Sequence, residues 1–458
     1  VSTTTGECGA IVIDIWLPSY PAVPSYVAGM RELADRFHET HPGYLINIRE
    51  SSYKTLPEDV FHAAQSGRPP ALVQYFHTSS QLARDMLTAD GRPLFTPVWQ
   101  ALGERTSVLG EPVRTAELLS AAASYYTDST GLLAMPPLAS TTLLYANTTL
   151  LARAGVTELP QTWAEVTAAC AAVAALTDGP AHGITWPNHG WIFQQAIAQQ
   201  GGLLADRDNG RAGRAERVFL ASAEMLEFVR WWRELHRRGL YLYAGGRAYG
   251  ENTARAWEEN FRAFVDQRVA FILSSSVEAQ WLVDAATERG FTVAASRMPH
   301  NGEVRYAGNV VGGDALWLVD EPDAAVRDGA LAFLQYLFAP EQAAARHRST
   351  WFTPITTGAV GLLEREGWFD RNPQHRAAVA QLSAGDGSPA ARGAFLGEFA
   401  RIQGLMTEAM EDVLVNDADP VRRFTAATTE AQRLLDEYND HCLGRVPGPR
   451  GPRRFTVD

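Results

Sequence analysis

Residues 10–16 read AIVIDIW and residues 71–76 read ALVQYF, with YVAGMRELADRFHE (26–39), LINIR (45–49) and DVFHAAQS (59–66) between them. The three apolar runs are short and rich in Ile, Val and aromatic residues, the pattern of strands. The 26–39 stretch puts Val27, Met30, Leu33, Ala34 and Phe37 on one helical face, and Gly67 ends the short 59–66 helix. Strand–helix–strand–helix–strand is the unit of an open parallel sheet. Such sheets bind ligands beyond the carboxyl ends of their strands. Those ends are Leu17–Tyr20, Ser51–Tyr53 and His77–Ser80, all polar or aromatic.

The alternation continues outward, which places the chain in the α/β class. Residues 132–150 form a long extended stretch with two prolines. Thr162 with Glu165 makes a capping box ahead of a helix from Ala164. Residues 224–238 form an amphipathic helix with Met225, Phe228, Val229, Trp232 and Leu235 inward. Residues 268–276 and 312–319 read as buried strands, 329–338 as a helix, and the remainder to Leu443 as mostly helical. The segment from Arg445 to Arg454, basic and proline-rich, reads as a flexible tail.

A length of 458 residues exceeds one growing core, so two lobes are expected. The formal charge of −12 argues against a nucleic-acid partner and suits a monomer. No apolar run is long enough to span a membrane. Cys170 sits in an Ala-rich helical run and reads as buried packing. Cys8 and Cys442 leave a bridge open as an alternative in an oxidising compartment. Thr5-Gly6-Glu7 before Cys8 is not a lipid-attachment sequence.

Further segments carry a family resemblance: Gly43-Tyr44, Ser66-Gly67-Arg68-Pro69-Pro70-Ala71-Leu72, Tyr125-Tyr126-Thr127-Asp128-Ser129 and Leu144-Tyr145-Ala146-Asn147 leading to Ala154-Gly155. Pro160-Gln161-Thr162-Trp163, Gly312-Gly313-Asp314-Ala315-Leu316-Trp317, Thr353-Pro354-Ile355 and Gly367-Trp368-Phe369-Asp370-Arg371-Asn372-Pro373 follow in order. In order and spacing they resemble family 1 of the extracellular solute-binding proteins of carbohydrate importers, nearest the glycerol-3-phosphate-binding branch. The resemblance implies a two-lobed periplasmic-binding-protein-like fold (class II, maltose-binding-protein type), with a multi-crossing hinge and a ligand cleft between the lobes. It implies crossings near Ser140, Ser274 and Leu316. Lobe one then holds 8–138 and 275–316, lobe two 142–272 and 320–445, and 446–458 is the tail. It also implies a carbohydrate-like small molecule as ligand, ABC transporter permease subunits as partners, no cofactor, and an extracytoplasmic location with lipoprotein anchoring as one form.

The same resemblance places Tyr53, Ser140, Ser275 and Gly313 in the cleft. His77 stands where the branch has a carboxylate, and Gln403 where it has an arginine. Both groups suit neutral hydroxyls, whereas a phosphate favours arginine. Glycerol 3-phosphate itself is therefore disfavoured, while a sugar, an amino sugar or a glycerophosphodiester remains open. Trp186, Trp191, Trp351 and Phe352 lie in loops where related binders present aromatics, and Trp163 follows a cap; each is either a sugar-stacking surface or core. Trp231, Trp232, Trp257 and Trp317 read as core. Asp314, after a glycine pair, is either a cleft carboxylate or a hydrogen-bonded hinge residue.

Catalytic fingerprints are missing: there is no nucleophile elbow, zinc-binding HExxH, phosphate loop or dinucleotide motif. His182 and His189 do not make a metal site, and His347 between two arginines reads as solvated. A glycoside hydrolase needs paired carboxylates, for which Asp14, Asp314 and Glu278 are the available set. A bilobal sensing or protein-interaction module is the other alternative.

Overall fold

In the computed structural model, residues 9–20 and 23–457 are described, and they are organised by two separate sheets. The strands are β1 (Ile11–Ser19), β2 (Tyr44–Ser52), β3 (Leu72–Phe76), β4 (Ser107–Val108), β5 (Glu111–Pro112), β6 (Met135–Ser140), β7 (Thr142–Asn147), β8 (Ile184–Thr185), β9 (Phe271–Ser275), β10 (Val293–Arg297) and β11 (Gly312–Leu318). One sheet has the order β2-β1-β3-β11-β6, with β1 parallel to β2 and β3 and with β11 antiparallel to β3 and β6. The other has the order β10-β7-β9-β8. β4 and β5 form a small ribbon.

Local rules account for most elements. The helix Ser25–Thr40 buries Tyr26, Val27, Met30, Leu33, Ala34 and Phe37, the face its periodicity demands. The next helix spans Leu56–Gln65 and starts earlier than expected, because Pro57 fits the first turn and Glu58 and Asp59 complement its dipole. Thr162 and Glu165 form the capping box on Trp163–Ala174. The long extended stretch divides at Thr141: Ser140 pairs with Gly312 in the first sheet and Thr142 with Ser275 in the second.

Two later segments pack differently from the expected lobe division. The helix Ala279–Glu288 and β10 stay on the second sheet, where Leu282, Ala286 and Phe291 cluster with Leu143, Tyr145 and Ile272. The helix Ala324–Leu337 stays on the first sheet, with Leu331, Phe333 and Leu334 in one cluster with Ile13 and Ile15. The chain therefore returns to the first sheet within residues 298–311, not near Ser274, and does not leave it near Leu316. Periodicity shows that a helix has a face to bury but not which sheet covers it.

Three smaller expectations also change. The tail is anchored: the Phe455 ring lies 4.9 Å from that of Phe61, and Val457 is buried. His347 is buried, with Nδ1 2.8 Å from Phe352 O and Trp368 Nε1 donating to its Nε2 at 3.1 Å. Its helix turns that position inward despite the flanking arginines. Cys170 lies in the second core and Cys442 is also buried; the Cys8–Cys442 pairing lies outside the described residues. Among the described residues, no helix is long and apolar enough to cross a membrane, and no cluster of His, Cys, Asp and Glu is arranged to hold a metal.

Candidate functional site

Where the two sheets face each other, the chain leaves a partly open cavity of about 270 Å³. Its first wall comes from the carboxyl ends of parallel strands: Tyr20 beyond β1, Tyr53 beyond β2, and Phe76 and His77 at β3. This is where an open α/β sheet leaves room for a ligand. Ser140 ends β6, and Gly312, Gly313 and Asp314 open β11 beside it. The opposite wall is built from His189 and Trp191 at the start of one helix, Thr253 and Trp257 on another, Ser275 ending β9, and Glu278 and Trp281 just after it.

Gly313 is required by the backbone. Its φ is +103°, and a Cβ there would lie 2.3 Å from Leu138 O. Gly312 brings the two walls together, since a Cβ on it would meet the Trp191 ring at 2.8 Å and Ser140 Oγ at 2.9 Å. The Tyr20 and Tyr53 rings lie 5.5 Å apart, and the His189 and Trp257 rings 5.7 Å. The cavity thus has aromatic surface on both walls, suited to the C–H face of a sugar ring or to an organic cation.

Its polar groups are buried or half-buried and their protonation is displaced. Asp314 Oδ2 accepts from the Tyr20 hydroxyl at 2.5 Å and from Gln74 Nε2 at 3.0 Å. Burial lifts this carboxyl to about 6, and the two hydrogen bonds oppose the rise. Burial, with Asp314 adding to it, drives the Tyr20 hydroxyl well above its ordinary value. Glu278 is lifted to about 7 by burial, against the hydrogen bond from Ser274. His77 is pushed down to about 3, chiefly by burial and then by His189, with the Gly313 backbone acting in the other direction. It is therefore a neutral ring at neutral pH. Neither of its nitrogens makes a hydrogen bond of good geometry, and the same is true of Trp191 Nε1. Buried polar groups in this condition are suited to exchange hydrogen bonds with a bound solute.

Of the residues singled out from the sequence, Tyr53, His77, Ser140, Trp191, Ser275, Gly313, Asp314 and Phe352 line this cavity. Four do not. Trp163 is core: it stacks on Trp231 at 5.0 Å, and its Nε1 donates to Pro299 O. Trp186 is fully buried between Trp231, Trp232 and Tyr241. Trp351 ends its helix at φ +63° and stacks on His375, outside the cavity. Gln403 lies in a seam between helices, tight against Gly190, where a Cβ would come within 2.4 Å of its own Cβ.

The sequence reading missed Tyr20 as an individual residue, although it ends one of the strands flagged. It treated Trp257 as core and passed over Trp281. The signal for Trp257 was its place one residue off the buried stripe of its helix, which runs through Ala256, Asn260, Ala263 and Phe264. Asp14, one of the carboxylates considered for hydrolysis, is exposed and bonded to Asn47 instead.

Known proteins resemble this chain in sequence and in fold. A model of the family described as bacterial extracellular solute-binding protein matches residues 32–377. The sn-glycerol-3-phosphate-binding periplasmic protein UgpB of Yersinia enterocolitica is 27% identical over 417 residues, 89% of each chain. Among solved structures, the cyclic alpha-maltosyl-1,6-maltose binding protein of Arthrobacter globiformis superposes with a TM-score of 0.74 at 16% identity, covering 94% of this chain and all 100% of that one. UgpB of Mycobacterium tuberculosis in complex with glycerophosphocholine gives 0.70 at 20% identity, covering 94% of this chain and 99% of that one. At such identities the structural likeness shows the fold, a two-lobed α/β architecture of the maltose-binding-protein type.

Proposed function

The chain belongs to the bacterial extracellular solute-binding protein family, and from that premise we propose that it is the substrate-binding component of an ATP-binding-cassette importer, taking a small carbohydrate-type solute in the cavity between its lobes. The observation that carries this reading is the cavity itself: aromatic rings and unsatisfied polar groups from both sheets converge on one space. A solute that touches both walls stabilises the closed arrangement of the lobes over the open one, and the population shifts accordingly. The closed form then presents a surface spanning both lobes to the permease subunits. Relatives named as periplasmic support an extracytoplasmic location for this work.

The placement of His77 and the seam position of Gln403 disfavour a phosphate monoester, since among the described residues no lysine or arginine lines the cavity. A hydrolytic reading draws on Asp314 and Glu278, which share the cavity. A thermal-shift screen of sugars, amino sugars, polyols and glycerophosphodiesters tests the proposal. A ligand bound only by the folded state raises the melting temperature by mass action. A rise with one chemical class, and recovery of that compound unchanged after long incubation, supports a binder. Turnover of the compound supports the hydrolase, and no rise with any class removes the solute-binding reading.

A further inference from the structure

The charge inside the cleft says more about its solute. Asp314 is buried on one wall, and its hydrogen-bond donors, Tyr20 and Gln74, are uncharged. Glu278 stands on the other wall, held by the hydroxyl of Ser274. Trp281, three residues after Glu278, faces the same space, as does Trp257. His77 is neutral, and no lysine or arginine lines the cavity among the described residues. Holding one buried and one half-buried carboxyl beside aromatic faces without a basic partner disfavours their ionised forms in the empty protein. Aromatic faces and carboxylates attract the same kind of ligand group, a cation carried on carbon. A solute with hydroxyls alone relieves part of this cost through hydrogen bonds, an ammonium adds opposite charge to them, and one carrying phosphate adds repulsion.

We infer that the solute selected by this cleft carries an ammonium group, held by Asp314 and Glu278 against the aromatic walls. This rests on the solute-binding reading above and narrows its substrate class. The ammonium comes from one of two sources, a primary amine as in an amino sugar or a quaternary amine as in a choline head group, and matched probes separate them. Calorimetric titration compares glucosamine with glucose, and choline with its neutral tert-butyl analogue.

The expected result is at least a tenfold preference for the charged member in one pair, and that pair names the source. In Asp314→Asn and Glu278→Gln the preference falls towards one. Both substitutions keep side-chain shape and hydrogen-bonding oxygen, and circular dichroism checks their folding. Equal or better binding of the neutral member in both pairs overturns the inference and leaves the binder intact. So does a preference that survives in both variants, or binding of neutral sugars with neither ammonium probe bound. If no compound in the screen or the pairs binds, the inference falls together with the solute-binding reading.

Discussion

Two of the places where the lobes meet differ in their chemistry. In the seam beside the cleft, Asp85 and Arg84 are each ion-paired, while Arg211 is met by backbone carbonyls with its Nε left unbonded. Asp85, on the first lobe, is bidentate to Arg214 of the second, with Nη1 3.0 Å from Oδ2, and also accepts from the Tyr438 hydroxyl at 2.9 Å. Arg84 reaches Asp128 at 3.1 Å and Gly210 O at 3.2 Å. Arg211 is buried with its guanidinium 4.1 Å over the Phe395 ring and donates to the carbonyl of Tyr125 at 2.7 Å. In the cleft, Asp314 is just as buried but receives only neutral donors, while the ring nitrogens of His77 and Nε1 of Trp191 make no hydrogen bond of good geometry. Ion pairing across the seam makes a joint, whereas a buried carboxylate met only by neutral donors in a cavity prepares a place for something else.

The sharpest way to break this contrast is to remove a matched charge. Asp85→Ala leaves Arg214 and Tyr438 facing each other without their acceptor, and unfolding in denaturant should show a loss of about 3–5 kcal/mol. A loss below about 1 kcal/mol would place the seam among weak surface pairs.

The cleft should respond in the opposite sense. Asp314 is lifted from 3.8 to about 6, so the folded protein keeps this proton to higher pH than the unfolded chain. Its contribution to stability therefore falls as pH rises from about 4 to about 6 and stays lost above that, by roughly 3 kcal/mol for a displacement of this size. Asp314→Asn abolishes that dependence. The unfolding free energy of the ligand-free variant, relative to the parent, should climb between pH 4 and pH 7. A flat difference would mean that Asp314 is ionised without penalty and that the contrast with Asp85 is false.

The smallest effect belongs to the tail. Phe455 is only partly buried against the first core, so Phe455→Ala should cost about 1 kcal/mol. No change in melting temperature would return that segment to the flexible reading its composition suggests.

Periodicity and turn chemistry were local, and the sequence carried them: the first three strands, the helical face of Val27 to Phe37 and the Thr162 capping box all follow from neighbours within a few residues. The strand ends also announced Tyr53 and His77, because a sheet's carboxyl edge is set by strand direction. What decided the rest lies far apart in sequence. Trp186 and Trp191 read alike as loop-borne aromatics, yet only Trp191 meets the cavity, where Gly312 is small enough to admit its ring. Trp281 faces the cleft from the helix Ala279–Glu288, which packs on the second sheet instead of the first, and Trp257 from the helix Thr253–Val265. Asp314 is held by Tyr20, 294 positions away along the chain. Residue type and spacing determine which side chains want burial or a partner; which partner they find depends on the closure of long loops and on which sheet covers each helix, and those are settled only when the whole chain packs.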